Sequence, residues 1–438
     1  MPTLTGPHLQ AEPQRPALSG VTPATERSSR KLVDAFQAAF TGPHVPRFEL
    51  ELPDGAVHTF GAPLTNAVAT PADLARFRIR VRNQQGLRAL VSFDEARTAE
   101  AFLNSDFDVD GDVLAAFDLR KFFVDRHPFW SIWRFIPPLL VGQVRTDKKG
   151  IPRHYDYGDE FYFSFLDKDV RLYSQALYKS DDDTLEQAAR NKLDYILDAC
   201  RLTEGSDVLD VGAGWGSFSC YAAARGVNVT MMTLAHKQYE CLTHLARTSS
   251  APGRLEAVRE SIYAYAPAKR FDAIVLLGVM EHLPNYAGLC RQFDALLKPD
   301  GRVYMDFSAI RKKYASSSVA YRHVFPGNHS PVVLPELLAA ANASTFEPIA
   351  VHNDRHSYFL TLSTWARNLE AARDRLIPEF GARTFRLFQL YLWATAHALG
   401  RDGSLESYRV VMQKSPGSPS AQIGLIPATD DCRKAATD

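Results

Sequence analysis

The sequence predicts a doubly wound α/β domain, a parallel sheet with helices on both faces, carried behind a small α+β unit. Three observations lead there. Strand-length apolar runs alternate with helical stretches from about residue 151 to 413, a glycine-rich turn joins one strand to a helix near 208–224, and residues 29–120 hold shorter alternating strands with their own turns. At 438 residues the chain is too long for one core. The expected organisation is a polar tail at 1–28, an accessory domain at 29–120, an aromatic connector at 121–150, a larger domain at 151–413 and a second tail at 414–438. The tails are rich in Pro, Ser and Ala and are expected to be disordered.

In the small unit, 47–52 alternates as a strand, Pro53-Asp54-Gly55 turns the chain, and 57–60 returns. Residues 77–82 alternate again and 93–102 has helical character. The run 106–112 has the aspartate spacing of a calcium loop, but Phe117 stands at the twelfth position where a glutamate is needed, so a solvated acidic turn is expected. In the connector, Phe129, Trp130, Trp133 and Phe135 suit a linker packed between domains. The other reading is an interfacial segment with Lys121 and Arg134 near lipid headgroups. In the large domain, strands are expected at 208–211, 227–234, 273–277 and 302–307, with helices at 217–224, 237–248 and 286–297. A late apolar helix at 385–399 precedes a final edge strand at 408–413.

Composition narrows the function. Lys+Arg and Asp+Glu are both 50, which removes the global positive charge that a nucleic-acid binder uses. The five cysteines are odd in number and none forms a Cys-x-x-Cys pair, which predicts a reducing compartment without structural zinc. No apolar run approaches the roughly 20 residues that span a bilayer, and the first 28 residues lack the apolar core of a secretory signal. A soluble intracellular protein is expected.

The run Asp210-Val-Gly-Ala-Gly-Trp-Gly216 places glycines at 212, 214 and 216 directly after a strand. Glycines permit a sharp turn and close approach of a ligand to backbone. A dinucleotide fingerprint needs glycine at the sixth position from Gly212, and Ser217 stands there. The pattern resembles instead the first motif of S-adenosylmethionine (SAM)-dependent methyltransferases.

Further segments carry a more specific resemblance. These are His154-Tyr-Asp-Tyr-Gly-Asp-Glu-Phe-Tyr162, Phe165-Leu-Asp167, Tyr173-Ser174, Thr233-Leu234 with Gln238, Gly278-Val-Met-Glu-His-Leu283, Leu297-Lys-Pro-Asp-Gly301, Val324-Phe-Pro-Gly327 and the stretch 358–365. In this order they resemble the cyclopropane-fatty-acyl-phospholipid synthase family, and the likeness extends over about 45–413. It implies a class I, Rossmann-like SAM-methyltransferase domain with an accessory domain. The implied reaction is methyl transfer from SAM to the double bond of an unsaturated fatty acyl chain in a phospholipid. It also implies a cytoplasmic enzyme making transient contact with the inner face of the membrane, and it is compatible with a homodimer. Neither nucleic acid nor metal is expected.

By this resemblance, Asp210, Gly212, Gly214, Trp215, Gly216, Tyr173, Ser174, Thr233, Leu234 and Gln238 meet the cofactor. The acid that many methyltransferases place after the second strand is missing from Met231-Met-Thr-Leu-Ala235. Methylation of an alkene leaves a carbocation, and an aromatic face stabilises such charge by roughly 0.5–2 kcal/mol. Tyr358 is the candidate for that wall, with Tyr173 as a second. The family passes the proton to a bicarbonate held partly by a cysteine, a glutamate, a histidine and a tyrosine. Glu281 and Tyr358 match, but Gln175 replaces the cysteine, Asp306 the histidine and Ser308 a neighbouring aliphatic residue. Bicarbonate therefore fits the sequence poorly. Two nearby acids, Glu281 and Asp306, would raise one apparent pKa and let one serve as base; alternatively, Asp306 only binds a polar group. The product is then a cyclopropane or a methyl- or methylene-branched chain. A smaller natural-product substrate, or a lipid-binding protein without activity, are the competing readings.

Overall fold

The computed structural model describes residues 23–62, 75–126, 158–311, 319 and 330–415. Phe129, Trp130, Trp133 and Phe135 of the connector, the start of the His154 segment, residues 324–327 and most of both tails lie outside the described residues. The chain divides into two compact units, residues 1–123 and 124–438.

The first unit opens with α1 (Pro23–Ala39). Residues 23–28, expected in the tail, are therefore helical, because Ser29, Leu32 and Phe36 recur at helical spacing and bury against the unit's core. Strands β1 (Phe48–Glu51), β2 (Val57–Phe60), β3 (Phe77–Val81) and β4 (Phe107–Gly111) form a sheet in the order β2-β1-β3-β4. Phe36 sits among Phe40, Phe48, Phe60 and Phe93, with its ring centroid 4.7 Å from that of Phe40. The helix expected at 93–102 is α3 (Glu95–Leu103), and a further helix, α2 (Gln84–Val91), precedes it. Phe93 has φ of 48° and the Asp94 carboxylate caps α3 by accepting from the Arg97 amide at 2.9 Å, so the chain breaks there.

The 106–112 run corrects the expected solvated turn. It contains β4, whose aspartates meet the arginines of β3 and its flanks. Asp108 accepts from Arg82 at 2.7 Å, Asp110 lies 3.3 Å from Arg80, and Asp112 pairs with Arg76. On the other side of β3, Glu49 accepts from Arg78 at 2.8 Å and Glu51 from Arg80 at 3.2 Å. Strand alternation causes this, since Phe77, Ile79 and Val81 turn inward and the arginines turn outward between two acidic rows. A short helix, α4 (Val113–Phe117), follows.

The second unit is a seven-stranded sheet in the order β10-β11-β9-β8-β5-β6-β7. Its strands are β5 (Asp207–Val211), β6 (Asn228–Met232), β7 (Leu255–Val258), β8 (Phe271–Leu277), β9 (Leu297–Ala309), β10 (Phe346–Asn353) and β11 (Glu406–Lys414). Strands β5 to β9 pair in parallel, as the doubly wound expectation requires, while β11 is antiparallel to both neighbours. Strand β11 is not at the edge as expected. It lies between β9 and β10, and its consecutive buried residues Val410, Val411 and Met412 suit a strand covered on both faces.

The helices of this unit are α5 (Asp159–Phe163), α6 (Leu185–Ala199), α7 (Ser217–Ala223), α8 (His236–Thr248), α9 (Tyr286–Leu296), α10 (Leu334–Asn342), α11 (Arg355–Ala371), α12 (Arg373–Phe380) and α13 (Ala382–Gly400). Alternate residues of β5 enter two different cores: Leu209 and Val211 join one, Val208 the other. The chain runs from β5 outward through β6 and β7, then returns to β8 on the opposite side of β5. This reversal opens a crevice at the carboxyl ends of β5 and β8, where α/β sheets bind ligands.

Replacing Phe36 by Ala empties the centre of the first unit's aromatic core and is expected to cost about 3–5 kcal/mol of local stability. Native-state hydrogen exchange of the β1 amides in the full chain would read this loss, and unchanged protection would refute it.

Candidate active site

The crevice is a cleft enclosing about 1070 Å³ including its open mouth. Its floor is the turn after β5. Gly212 has φ of 74°, and a Cβ added there would lie 2.5 Å from Val279 Cγ2, so this glycine lets the turn after β8 approach. Gly214 has φ of 57° and a Cβ there would meet nothing closer than the Gly212 carbonyl at 4.0 Å. That position faces open space, where a ligand can reach backbone.

Of the residues expected to meet the cofactor, Tyr173, Ser174, Asp210, Gly212, Gly214, Trp215, Thr233, Leu234 and Gln238 line this cleft. Gly216 does not. It caps the start of α7 in a left-handed conformation, and a Cβ there would press on Leu245 and Leu242 of α8, so its task is packing. The Thr233 hydroxyl donates to Gln238 Oε1 at 2.7 Å and accepts from the Ala235 amide at 3.2 Å, giving an uncharged polar wall after β6. Glu260, Ser261 and His282 also line the cleft and were missed; they follow β7 and β8, where only the strand register brings them to one end of the sheet.

One wall is delivered by a turn built on Asp167. Its buried carboxylate accepts from the amides of residues 169 to 172, at 2.6 Å for Val170 and 2.7 Å for Leu172. The chain leaving this turn presents Tyr173, whose ring stacks on Trp365 at 5.4 Å and meets Tyr162 edge-on at 5.0 Å. Trp215 packs on Tyr162 and donates from Nε1 to Asp159 at 2.6 Å. The cleft mouth is thus aromatic.

The four residues expected in catalysis do not stand together in this cleft. Asp306, buried on β9, pairs with the equally buried Lys192 of α6 at 2.8 Å, and its other oxygen accepts from the Gly278 amide at 3.1 Å. Gln175 donates to Asp354 at 3.1 Å and accepts from the Ser407 hydroxyl. Asp354 is in turn paired with Arg409 at 3.0 Å. Tyr358 lies on α11 beside Ser357, which accepts from the Tyr178 amide at 3.2 Å.

Glu281 is different. It sits in the same 278–283 turn as the cleft-lining Gly278, Val279 and His282. Its Oε1 accepts from both the amide and the hydroxyl of Ser308, at 2.7 and 2.6 Å, while the buried Oε2 has no hydrogen-bond partner among the described residues. Burial pushes the Glu281 carboxyl up, the Ser308 bonds oppose this, and Asp306 adds a smaller upward push. Of the two readings left open for Asp306, a base or a group that binds a polar partner, its place beside Lys192 favours the second, because a buried carboxylate needs a counter-charge. These residues do not fit a bound bicarbonate. Gln175, Asp306 and Ser308 spend their polar atoms on protein partners, and two buried acids disfavour a further anion.

Sequence reasoning missed Lys192. The signal was there: Ala188, Lys192 and Ile196 recur at i, i+4 and i+8 on the buried face of α6, so a lysine interrupts an apolar stripe.

Residues 143–409 match the family described as "Mycolic acid cyclopropane synthetase". The chain belongs to this family of SAM-dependent methyltransferases. Among relatives, it is 25% identical over 342 residues to a sphingolipid C9-methyltransferase of Komagataella phaffii, covering 73% of this chain and 70% of the relative. It is 32% identical over 270 residues to a Pseudomonas putida protein named "Probable fatty acid methyltransferase", covering 58% of this chain and 66% of that one. Of solved structures, the mycolic acid cyclopropane synthase CmaA1 complexed with SAH and CTAB superposes with a TM-score of 0.56 at 26% identity, over 60% of this chain and 97% of that one.

Burial also pushes the Asp210 carboxyl from 3.8 up to about 7, against the Ser219 hydroxyl that donates to it at 2.7 Å. The folded state therefore holds this proton more tightly than the unfolded chain does. Stability from this group is greatest below about pH 4 and falls as pH rises through about 7. Asp210→Asn should abolish that fall, so the melting temperature of the variant gains on wild type across this window; parallel curves would contradict the assignment. Gly212→Ala is expected to cost about 1–3 kcal/mol by overpacking against Val279, and Val279→Ala in the same chain to recover part of the loss. Thermal denaturation of both variants checks this.

Proposed function

We propose that this methyltransferase transfers the SAM methyl to a double-bond carbon of an unsaturated acyl chain in a lipid, and that the product is a branched chain. The observation that carries the reading is Glu281: a buried carboxylate in the turn that lines the cleft, with one oxygen pinned by Ser308 and the other without a hydrogen-bond partner among the described residues. The relatives named as sphingolipid C9- and fatty acid methyltransferases support a lipid substrate.

SAM, when bound, supplies an electrophilic methyl on a sulfonium. Gly212 and Gly214 bring backbone to it, Thr233 and Gln238 give a neutral polar contact, and Tyr173 and Trp215 supply aromatic faces that suit a cation. The alkene π pair forms the new C–C bond as the C–S bond breaks, leaving S-adenosylhomocysteine and a carbocation on the neighbouring carbon. Glu281 then accepts a proton. If the methylated carbon gives up its own hydrogen, the double bond re-forms and a methyl branch remains; if the new methyl gives up a proton, a ring closes. Burial raises the basicity of Glu281, the direction that favours a general base. A lipid substrate brings the enzyme to a membrane surface transiently, and no helix among the described residues is long and apolar enough to cross one.

Heterologous expression followed by mass spectrometry of total lipid acyl chains is expected to show a gain of one CH₂ with the double bond retained. No altered lipid from well-folded, SAM-binding protein would overturn the reading. Glu281→Gln should lower turnover about 100- to 10,000-fold with SAM affinity kept. Activity should be indifferent to bicarbonate depletion.

A further inference from the structure

The Lys192 ammonium meets three oxygens: it donates to the Ser174 hydroxyl at 2.7 Å and the Gln175 carbonyl at 2.8 Å, and it forms an ion pair with Asp306 Oδ2 at 2.8 Å. Asp306 continues the chain of contacts, because its Oδ1 accepts from the Gly278 amide at 3.1 Å and its main-chain carbonyl accepts from the same amide at 3.1 Å. Ser174 and Gly278 both line the cleft and face each other; a Cβ on Gly278 would stand 3.6 Å from Ser174 Cβ. One wall comes from the segment after the Asp167 turn and the other from the turn after β8. Among the described residues, no main-chain hydrogen bond joins the two directly. What ties them is the ion pair behind them, with Lys192 on a helix whose first turn is secured by the Thr184–Gln187 capping box.

We propose that Lys192 and Asp306 are positioning residues for the cofactor: their buried ion pair sets the separation of Ser174 and Gly278 across the SAM cleft, and so sets SAM affinity without touching SAM. Neither residue lines the cleft. The ion pair also argues against Asp306 as the group that removes the proton, since an ammonium stands beside it. The inference rests on the SAM reading above, and the test separates the two.

Isothermal titration calorimetry with S-adenosylhomocysteine on the full-length protein is the measurement. Binding by wild type supports the SAM reading; its absence sinks that reading irrespective of the ion pair. Removing one charge, as in D306N, strands the other and should weaken binding about tenfold or more, the worth of a hydrogen bond to a charged group. The neutral pair K192M/D306N relieves the stranded charge, so its melting temperature should return toward wild type while the affinity stays low. A pair with a merely structural role would regain both together, and that result would overturn the proposal. Should K192M/D306N not fold, S174A, D306N and S174A/D306N form a cycle in conservative variants. The two losses should overlap, leaving the double variant within about threefold of the weaker single. Losses that multiply independently would likewise refute the assignment.

Discussion

An ammonium and a carboxylate buried together between α6 and β9 are the constraint around which the larger unit is arranged. Lys192 and Asp306 have side chains only 2% and 1% exposed. Charges withdrawn from water this far are tolerated only when paired and fully hydrogen-bonded, and stripping away one partner of such a pair costs about 3–5 kcal/mol. Beyond the pairing itself, Lys192 donates to a serine hydroxyl and a main-chain carbonyl, and Asp306 accepts from a glycine amide. Burial thereby forces a helix, a strand end and two loops into one geometry.

The buried carboxylates Asp210, Asp306 and Glu281, in or near the cleft, differ in the donors they receive. Asp210 receives a single hydroxyl and is pushed up to about 7. Asp306 receives an ammonium and an amide, and its charge is answered within the protein. Glu281 receives an amide and a hydroxyl on one oxygen and nothing among the described residues on the other. Of the two that have a buried oxygen without a hydrogen-bond partner among the described residues, Asp306 has an ammonium beside it and Glu281 does not, which is the basis for proposing Glu281 as the proton acceptor. The same logic removes bicarbonate, since the groups that would face it already serve other partners.

The first unit follows a different principle. Its arginines and acids alternate along paired strands, so each outward charge meets an opposite one across the ladder. Equal totals of acidic and basic residues thus correspond, on this sheet, to an ordered lattice over a phenylalanine core. Exposed pairs of this kind contribute little each, and the stability of the unit comes from the rings beneath.

Much of this was legible in the letters. Strand-length apolar runs and the glycine turn at 212–216 specified a doubly wound sheet and the floor of its cleft, because strand period and glycine freedom are local properties. The remaining expected cleft residues and Glu281 were marked by the resemblance of longer motifs to a family. Pairing was beyond local pattern. Which strand β11 joins, that Asp108, Asp110 and Asp112 meet arginines, that Gly216 packs on α8, and that Asp306 is neutralised by a lysine more than a hundred residues away in sequence are set by contacts between distant segments. A residue's type declares what it can donate or accept; only the folded chain decides which partner is within reach, and for a buried charge that partner determines the chemistry.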